Sequence, residues 1–430
     1  MFTTIFNVLS RSVVVLLVAM VSVNYMPDSL FKDFPIEPIS VQPNDYDSVI
    51  PQNWNTKLSD GQPEFIQLNN ILGPESLALS KSGLLYTGLA DGRIVELDSK
   101  NNYKLRTVLR FSNSKTKCSD NVATKADECG RFLQLRFLND TLYAVEANSG
   151  LYKVDTKTGS KVSLGPKPLN KINLFNSFAF DPVEPNLVYL PVSSTRWGVL
   201  NILWSIFEQD STGQLVMLDL DSGKRAIAFD NLRMPNGVDV DPKRDQLLLA
   251  ESLKSSVGSV ALKELRAAFK VAKDGDKLKG VEKKLLIPLL PGYPDNIVVD
   301  GDRAYIALPF VKLNGKELMD HLGTMPQVRK AISRFSFGLG KILEYACNNF
   351  YHHPLLEVAY RELKCGHVFY RVTQSDRSAV IEYNLATGAS RLFGSNTFGF
   401  VSEAVPDGNG NLLLGSFRSP FIVKQKGLGL

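Results

Sequence analysis

Histidine, cysteine and tryptophan are scarce in this chain: its 430 residues include 4 His, 4 Cys and 3 Trp. No CxxC spacing occurs, and His321, His352, His353 and His367 all come late. Both facts argue against a zinc centre, which gathers Cys and His at short fixed spacings. Strong charge of either sign is also missing. The 49 basic residues exceed the 44 acidic ones by only +5, and the excess is spread along the chain. No nucleic-acid partner is therefore implied. The Lys-rich run Lys270–Lys284 reads as a solvated loop or helix face. With 44% hydrophobic and 22% charged residues the composition is that of a globular protein, long enough for a large core and, by length alone, for two or three domains.

The N-terminus departs from that composition. Ser12-Val13-Val14-Val15-Leu16-Leu17-Val18-Ala19-Met20-Val21 is strongly apolar, and patchier apolar character extends from Phe2 to Met26. The core is short against the ~20 residues of a spanning helix. A cleaved secretory signal and a retained signal-anchor compete here, and the lack of a small-x-small site after Val21 favours the anchor. Residues 1–26 are thus expected to anchor the chain in a membrane, with the remainder outside the cytosol. Cysteine usage agrees: Cys118 and Cys129 flank a short polar loop, a natural span for a disulfide in an oxidising compartment. Cys347 and Cys365 could form a second pair. Asn139-Asp140-Thr141 is an N-glycosylation sequon at a turn.

Residues 27–63 are Pro-, Asp- and Asn-rich with little periodicity and read as a stalk or lead-in. From Glu64 to the C-terminus the pattern is all-β. Leu84–Gly88 and Arg93–Leu97 flank a turn containing Asp91-Gly92, a hairpin signal. Thr141–Glu146 with Gly150–Val154 repeats it, and so do later runs to Leu412–Gly415. Such strand–hairpin–strand units at a loose recurring period predict a β-propeller, whose blades must stack because none buries both faces alone. Two stretches, about 197–208 and 311–360, carry helical spacing and read as insertions on one face. A lid over the propeller is the expected role, with contact to a membrane or an apolar substrate as the second reading.

Oxygen-bearing side chains stand at several strand entries. Pro291-Gly292-Tyr293-Pro294-Asp295-Asn296 is a rigid turn ahead of Ile297-Val298-Val299. Met234-Pro235-Asn236-Gly237-Val238 and Gly73-Pro74-Glu75-Ser76-Leu77 repeat the arrangement, and Asn176 precedes a further strand. Innermost propeller strands point such turns at one axis, so Glu75, Asn176, Asn236, Asp295 and Asn296 form a candidate site for a hard cation, most simply Ca2+. An ordered set of motifs adds to this reading: Gly73-Pro74-Glu75-Ser76, Cys129-Gly130-Arg131, Met234-Pro235-Asn236-Gly237, Pro291–Asn296 and Gly415-Ser416-Phe417-Arg418-Ser419-Pro420-Phe421. The set resembles the strictosidine synthase-like family over roughly residues 65 to 425.

That resemblance implies a six-bladed propeller, more distantly related to paraoxonases. It implies a single-pass membrane glycoprotein with its propeller on the lumenal or extracellular side (cell surface or endoplasmic reticulum), a Cys118–Cys129 disulfide and a glycan at Asn139. It also implies arylesterase-type hydrolysis of small ester or lactone substrates at a calcium site built from Glu75, Asn176, Asn236, Asp295 and Asn296. Glu403 falls near the place of the family's catalytic glutamate. The chain departs from the pattern in two respects: Ser177 stands where relatives often have Asp, and the paraoxonase His dyad has no counterpart. Nor does any motif supply the aromatic-amine pocket of alkaloid condensation. The alternative is a non-catalytic membrane glycoprotein that binds a ligand or protein partner, with calcium structural.

Overall fold

The structure, a computed structural model, describes residues 18–49, 58, 61–69, 72–112, 118, 125–166, 173–312, 318–371 and 377–426. They divide into two compact units. The larger comprises Asp45–Leu200, Ser211–Gly315 and Ser375–Leu430; the smaller draws on residues up to Asn44, on Asn201–Asp210 and on Lys316–Gln374.

The larger unit is all-β and built from small antiparallel sheets. The first is Leu77–Leu79, Leu84–Gly88, Arg93–Asp98 and Lys104–Arg110; the second is Phe132–Leu138, Thr141–Glu146, Gly150–Val154 and Lys161–Gly165. Ala179–Phe180, Leu187–Val192, Gly213–Asp219 and Arg225–Leu232 make the third, and Pro235–Asp241, Gln246–Glu251, Ser256–Ala261 and Lys283–Ile287 the fourth. The fifth holds Ile297–Asp300, Arg303–Leu308, Ser378–Asn384 and Ser390–Ser395. The sixth joins Val401–Pro406, Leu412–Ser416 and Phe421–Gln425 to an early strand, Glu64–Gln67, which pairs antiparallel with Phe421–Lys424.

Side-chain alternation explains how the sheets hold together. In Gln246–Glu251, Leu247 and Leu249 pack into a core shared with the third sheet (Tyr189, Met217), whereas Leu248 and Ala250 enter one shared with the fifth (Ile306, Leu308). Tyr305 and Ala307 then face the sixth sheet. A strand buried on both faces reads as an unbroken apolar run, as Leu247-Leu248-Leu249-Ala250 does. Each such buried Leu stabilises the fold by about 1.5–3 kcal/mol. Polar bonds repeat the pattern near the strand ends. Phe175 N–H donates to Ala147 O (2.8 Å), Ser193 Oγ to Pro235 O (2.7 Å), Ser252 Oγ to Pro294 O (2.6 Å) and Asn296 N–H to Ser402 O (3.0 Å). Ser402 Oγ donates to Glu75 O (2.7 Å), linking the sixth sheet back to the first.

The smaller unit is helical. It contains Ile202–Glu208, Leu318–Leu322, a long helix Pro326–Asn349, and Pro354–Cys365. The second helical stretch thus runs beyond residue 360, because Pro354 at a helix start opens a further helix that Gly366 ends in a left-handed conformation. The lead-in packs here as well. Phe34 stacks on Phe337 (4.4 Å) and meets Trp204 edge-on (5.1 Å). Arg329, fully buried, donates to the carbonyls of Leu322, Gly323, Phe207 and Ile39.

Cys118 and Cys129 are joined in a disulfide. Cys347 and Cys365 are not a disulfide pair: both are buried thiols, and Cys347 Sγ faces His352 Nδ1 at 3.6 Å. Asn139 occupies the exposed turn between Phe132–Leu138 and Thr141–Glu146 with a left-handed backbone (φ 46°). Among the described residues no helix is long and apolar enough to cross a membrane. Most of the apolar run Ser12–Val21, on which the expected transmembrane helix rests, lies outside them.

Candidate functional site

The turn Pro291–Asn296 is held on both sides by backbone. Asp295 N–H donates to Ala307 O (2.9 Å) and Ala307 N–H to Asn296 O (3.2 Å), within the fifth sheet. Gly237 N–H reaches Asp295 O (3.1 Å) from the fourth sheet, and Asn296 N–H reaches the sixth. A Cβ on Gly237 would stand 2.4 Å from Asp295 O and 2.6 Å from Asn296 Cα. That contact explains the Asn236-Gly237 pair: only glycine lets the fourth sheet approach this closely, and the approach carries Asn236 in beside the turn.

Glu75, Asn236 and Asp295 come together, with Glu403 close enough to act on Asp295 electrostatically. Burial lifts the Asp295 carboxyl well above the ordinary range, the nearby Glu75 and Glu403 charges raise it further, and a hydrogen bond from Asn236 and the charge of Arg131 oppose this. Burial also lifts Glu75, against its ion pair with Arg131 (2.7 Å). Asn176 and Asn296 are buried too, and Asn176 immediately precedes Ser177, whose hydroxyl bonds Gln134 Oε1 (2.5 Å).

Glu403 sits at the centre of this network. Its Oε2 accepts from Leu77 N–H and its Oε1 from Gln134 Nε2 (2.9 Å). Burial pushes its carboxyl up to about 7. Behind it Arg136 pairs with Asp239 (2.9 Å) and donates to Val238 O (3.0 Å).

Four buried oxygens in the predicted ligand set have no hydrogen-bond partner: Asn176 Oδ1, Asn236 Oδ1, Asp295 Oδ1 and Asn296 Oδ1. An unsatisfied buried acceptor costs about 1–3 kcal/mol, so four from one candidate set call for a donor or a cation. Charge points the same way. When ionised, Glu75, Asp295 and Glu403 would bring three negative charges against the one guanidinium of Arg131, since Arg136 is engaged by Asp239. The remainder is the charge that one divalent ion offsets. The donors are oxygens, the ligands a hard cation takes. Among the described residues no group of three or more His, Cys, Asp or Glu is placed to hold a metal, so any ion here would rest on amides as much as on carboxylates.

Arg131 and Gln134 are the members that motif reading passes over as site residues. Arg131 follows the disulfide Cys129 and Gly130 (φ 80°), and its guanidinium reaches both Glu75 Oε2 and Phe417 O (2.9 Å). The Cys129-Gly130-Arg131 motif was the available signal. Next to this pair stands an aromatic cluster: Phe400 against Phe417 (5.2 Å) and Phe310 against Phe400 (5.5 Å), with Tyr293 6.4 Å from Phe310. All four histidines fall in the segment Lys316–Gln374 of the helical unit.

The family model described as strictosidine synthase-like, N-terminal, matches residues 54–97. Adipocyte plasma membrane-associated protein of Rattus norvegicus is 28% identical over 377 residues, covering 86% of this chain and 87% of the relative. Its Bos taurus counterpart is 27% identical over 429 residues, 97% and 90% of the two chains. The chain is a homologue of the adipocyte plasma membrane-associated proteins. The chain also matches protein strictosidine synthase-like 13 of Arabidopsis thaliana, 27% identical over 60% of this chain and 63% of the relative. Among solved structures, a luciferin-regenerating enzyme aligns with a TM-score of 0.48 and 10% identity, covering 85% of this chain and 96% of that one. A calcium-binding protein, regucalcin, from Agrobacterium tumefaciens gives 0.48 and 11%, covering 84% and 92%.

Proposed function

We propose that the six sheets are the blades of a six-bladed β-propeller, and that it is a calcium-dependent hydrolase of small ester or lactone substrates, of arylesterase type. The observation that carries this reading is the set of four orphaned oxygens on Asn176, Asn236, Asp295 and Asn296, in a cluster with excess negative charge. Glu75, Asn176, Asn236, Asp295 and Asn296 would hold the ion. Calcium held there would supply Lewis acidity for polarising an ester carbonyl and offsetting the developing oxyanion.

The chain's own residues do the rest. Arg131 fixes Glu75 from one side, and Ser402 fixes the Glu75 backbone from the other. Phe310, Phe400 and Phe417 offer an apolar wall for an aryl or acyl group and keep water away from the carboxylates. Glu403, lifted to about 7, can exchange a proton near neutrality, which is what a general base requires. Residues 1–26 would act as a single-pass anchor, with the propeller lumenal or extracellular and Asn139 glycosylated. The names of the relatives as plasma membrane-associated proteins support this placement.

One observation favours a second reading. Both Glu403 oxygens already accept hydrogen bonds from the protein, and no histidine lies in the β unit. The propeller would then bind a ligand or protein partner, with calcium structural. Phenyl acetate hydrolysis by the full chain, with and without chelator, separates the two. Chelator-sensitive turnover that Asn296→Ala abolishes is expected for the hydrolase. A chelator-sensitive melting temperature without turnover would overturn the enzyme and retain the binding module.

A further inference from the structure

The long helix Pro326–Asn349 of the smaller unit has one apolar face that the described residues of that unit leave partly exposed. At 3.6 residues per turn, Val328, Ile332, Phe335, Leu339, Ile342 and Ala346 form a single stripe along it. Ile342 is 66% exposed, and Val328 and Leu339 are exposed as well. Gly338 and the exposed Tyr345 widen the stripe on one flank. No charge falls on that stripe or that flank. The charged residues of the helix lie further round: Lys330 pairs with Glu37, Arg334 with Asp28 and Glu344 with Lys364, Arg329 is buried, and Lys341 is exposed near Glu344. Past the helix end Phe350 is 78% exposed, with Tyr351 and Leu355 exposed beside it.

Two features identify what covers this face. First, the end of the apolar N-terminal run lies at the helix: Asn24 Nδ2 donates to Gln327 O (2.8 Å), and Tyr25 and Met26 are exposed next to it. Val18 and Val21, at the described end of that run, are exposed as well, so an apolar medium that receives them adjoins the first turn of the helix. Second, the uncharged surface is wider than a helix-pairing seam, which is bordered by charged positions, and it ends in Phe350 and in Tyr351, a residue type enriched where hydrocarbon meets water. We propose that the stripe Val328–Ala346 lies in the surface of a lipid bilayer, so that the helical unit docks on the membrane in addition to the N-terminal anchor.

The inference rests on the anchored reading, and its test keeps the two apart. The full chain is reconstituted in phosphatidylcholine vesicles with an NBD fluorophore on Val15→Cys, Ile342→Cys or Lys341→Cys; the native thiols Cys347 and Cys365 are buried. Lipid brominated in its acyl chains is then titrated in. Docking predicts loss of most of the emission at positions 15 and 342 and little loss at 341. Quenching at 15 but not at 342 overturns the docking and leaves the anchor standing. Absence of quenching at both overturns both. A disulfide-linked Ile342→Cys dimer without lipid quenching also overturns docking, assigning the face to a second copy of the chain. As a second variant, Ile342→Glu at this exposed position should keep the melting temperature and abolish quenching from a probe at Leu339→Cys.

Discussion

Removal of calcium should make stability fall as pH rises from about 4.5 to 7, the ordinary and the raised values of the Glu403 carboxyl, opposite to a protein whose carboxylates are held by cations. The Glu403 carboxyl is raised from 4.5 to about 7. Between those values the folded chain keeps a proton that the unfolded chain has lost, so the native state loses relative stability as pH climbs through the window and levels off above it. The full difference is worth about 3 kcal/mol. For a unit of this size it lowers the melting temperature by about 5 °C. Asp295 and Glu75, also raised, act in the same direction. Calcium at a hundred times its dissociation constant would restore about 2.7 kcal/mol, and more at pH 7.5 than at pH 5, where protons compete for the same oxygens. Differential scanning fluorimetry from pH 4.5 to 8, in chelator and in calcium, measures both curves. A chelated protein with a flat or rising curve would refute the charge reasoning, as would a calcium shift of equal size at pH 5 and 7.5. Glu403→Gln should flatten part of the slope.

Arg131→Leu leaves Glu75 buried without its guanidinium, and a loss of about 3–5 kcal/mol is expected in urea unfolding, smaller at pH 5 where the carboxyl can take a proton. Arg329→Met removes four hydrogen bonds to carbonyls; Leu322 O and Gly323 O keep backbone donors, and Phe207 O and Ile39 O lose the guanidinium that serves them. Faster proteolysis within Lys316–Gln374, at unchanged far-ultraviolet strand signal, is the expected readout, with a local cost of about 3 kcal/mol or more. Reducing Cys118–Cys129 opens a short loop, so a destabilisation of about 2–3 kcal/mol is expected on adding dithiothreitol to the unfolding series.

Strand segmentation is legible in the sequence because the turn residues punctuate it: Asp91-Gly92, Asn139-Asp140 and Thr387-Gly388 each sit between runs that are strands in the structure. Asp295 and Asn236 are legible for the same reason, since a rigid turn ahead of an apolar run fixes where a side chain points. Arg131 is harder to see, because its partner Glu75 comes from another sheet and the pairing depends on a long-range approach that no local pattern encodes. Phe34 is hidden differently. It lies in a Pro- and Asp-rich stretch without periodicity, yet its ring is held by Trp204 and Phe337, which are far from it in the chain. Composition reads such a segment as a tether because it sees only neighbours in sequence. The Cys347 and Cys365 thiols show the converse: even number and shared compartment suggest pairing, but geometry decides it.

The early strand Glu64–Gln67 has a consequence for biosynthesis. Its partner is Phe421–Lys424, so the sheet that completes the circuit cannot form until nearly the whole chain has been made. At the ~5–20 residues per second of translation, Glu64–Gln67 waits about 20–70 s with its edge unpaired. Throughout that interval it is an open template for other strands, the situation in which chains need chaperones. A nonsense mutation shortly before Phe421 would therefore do more than shorten the product, because it would leave the first-made strand permanently without its mate.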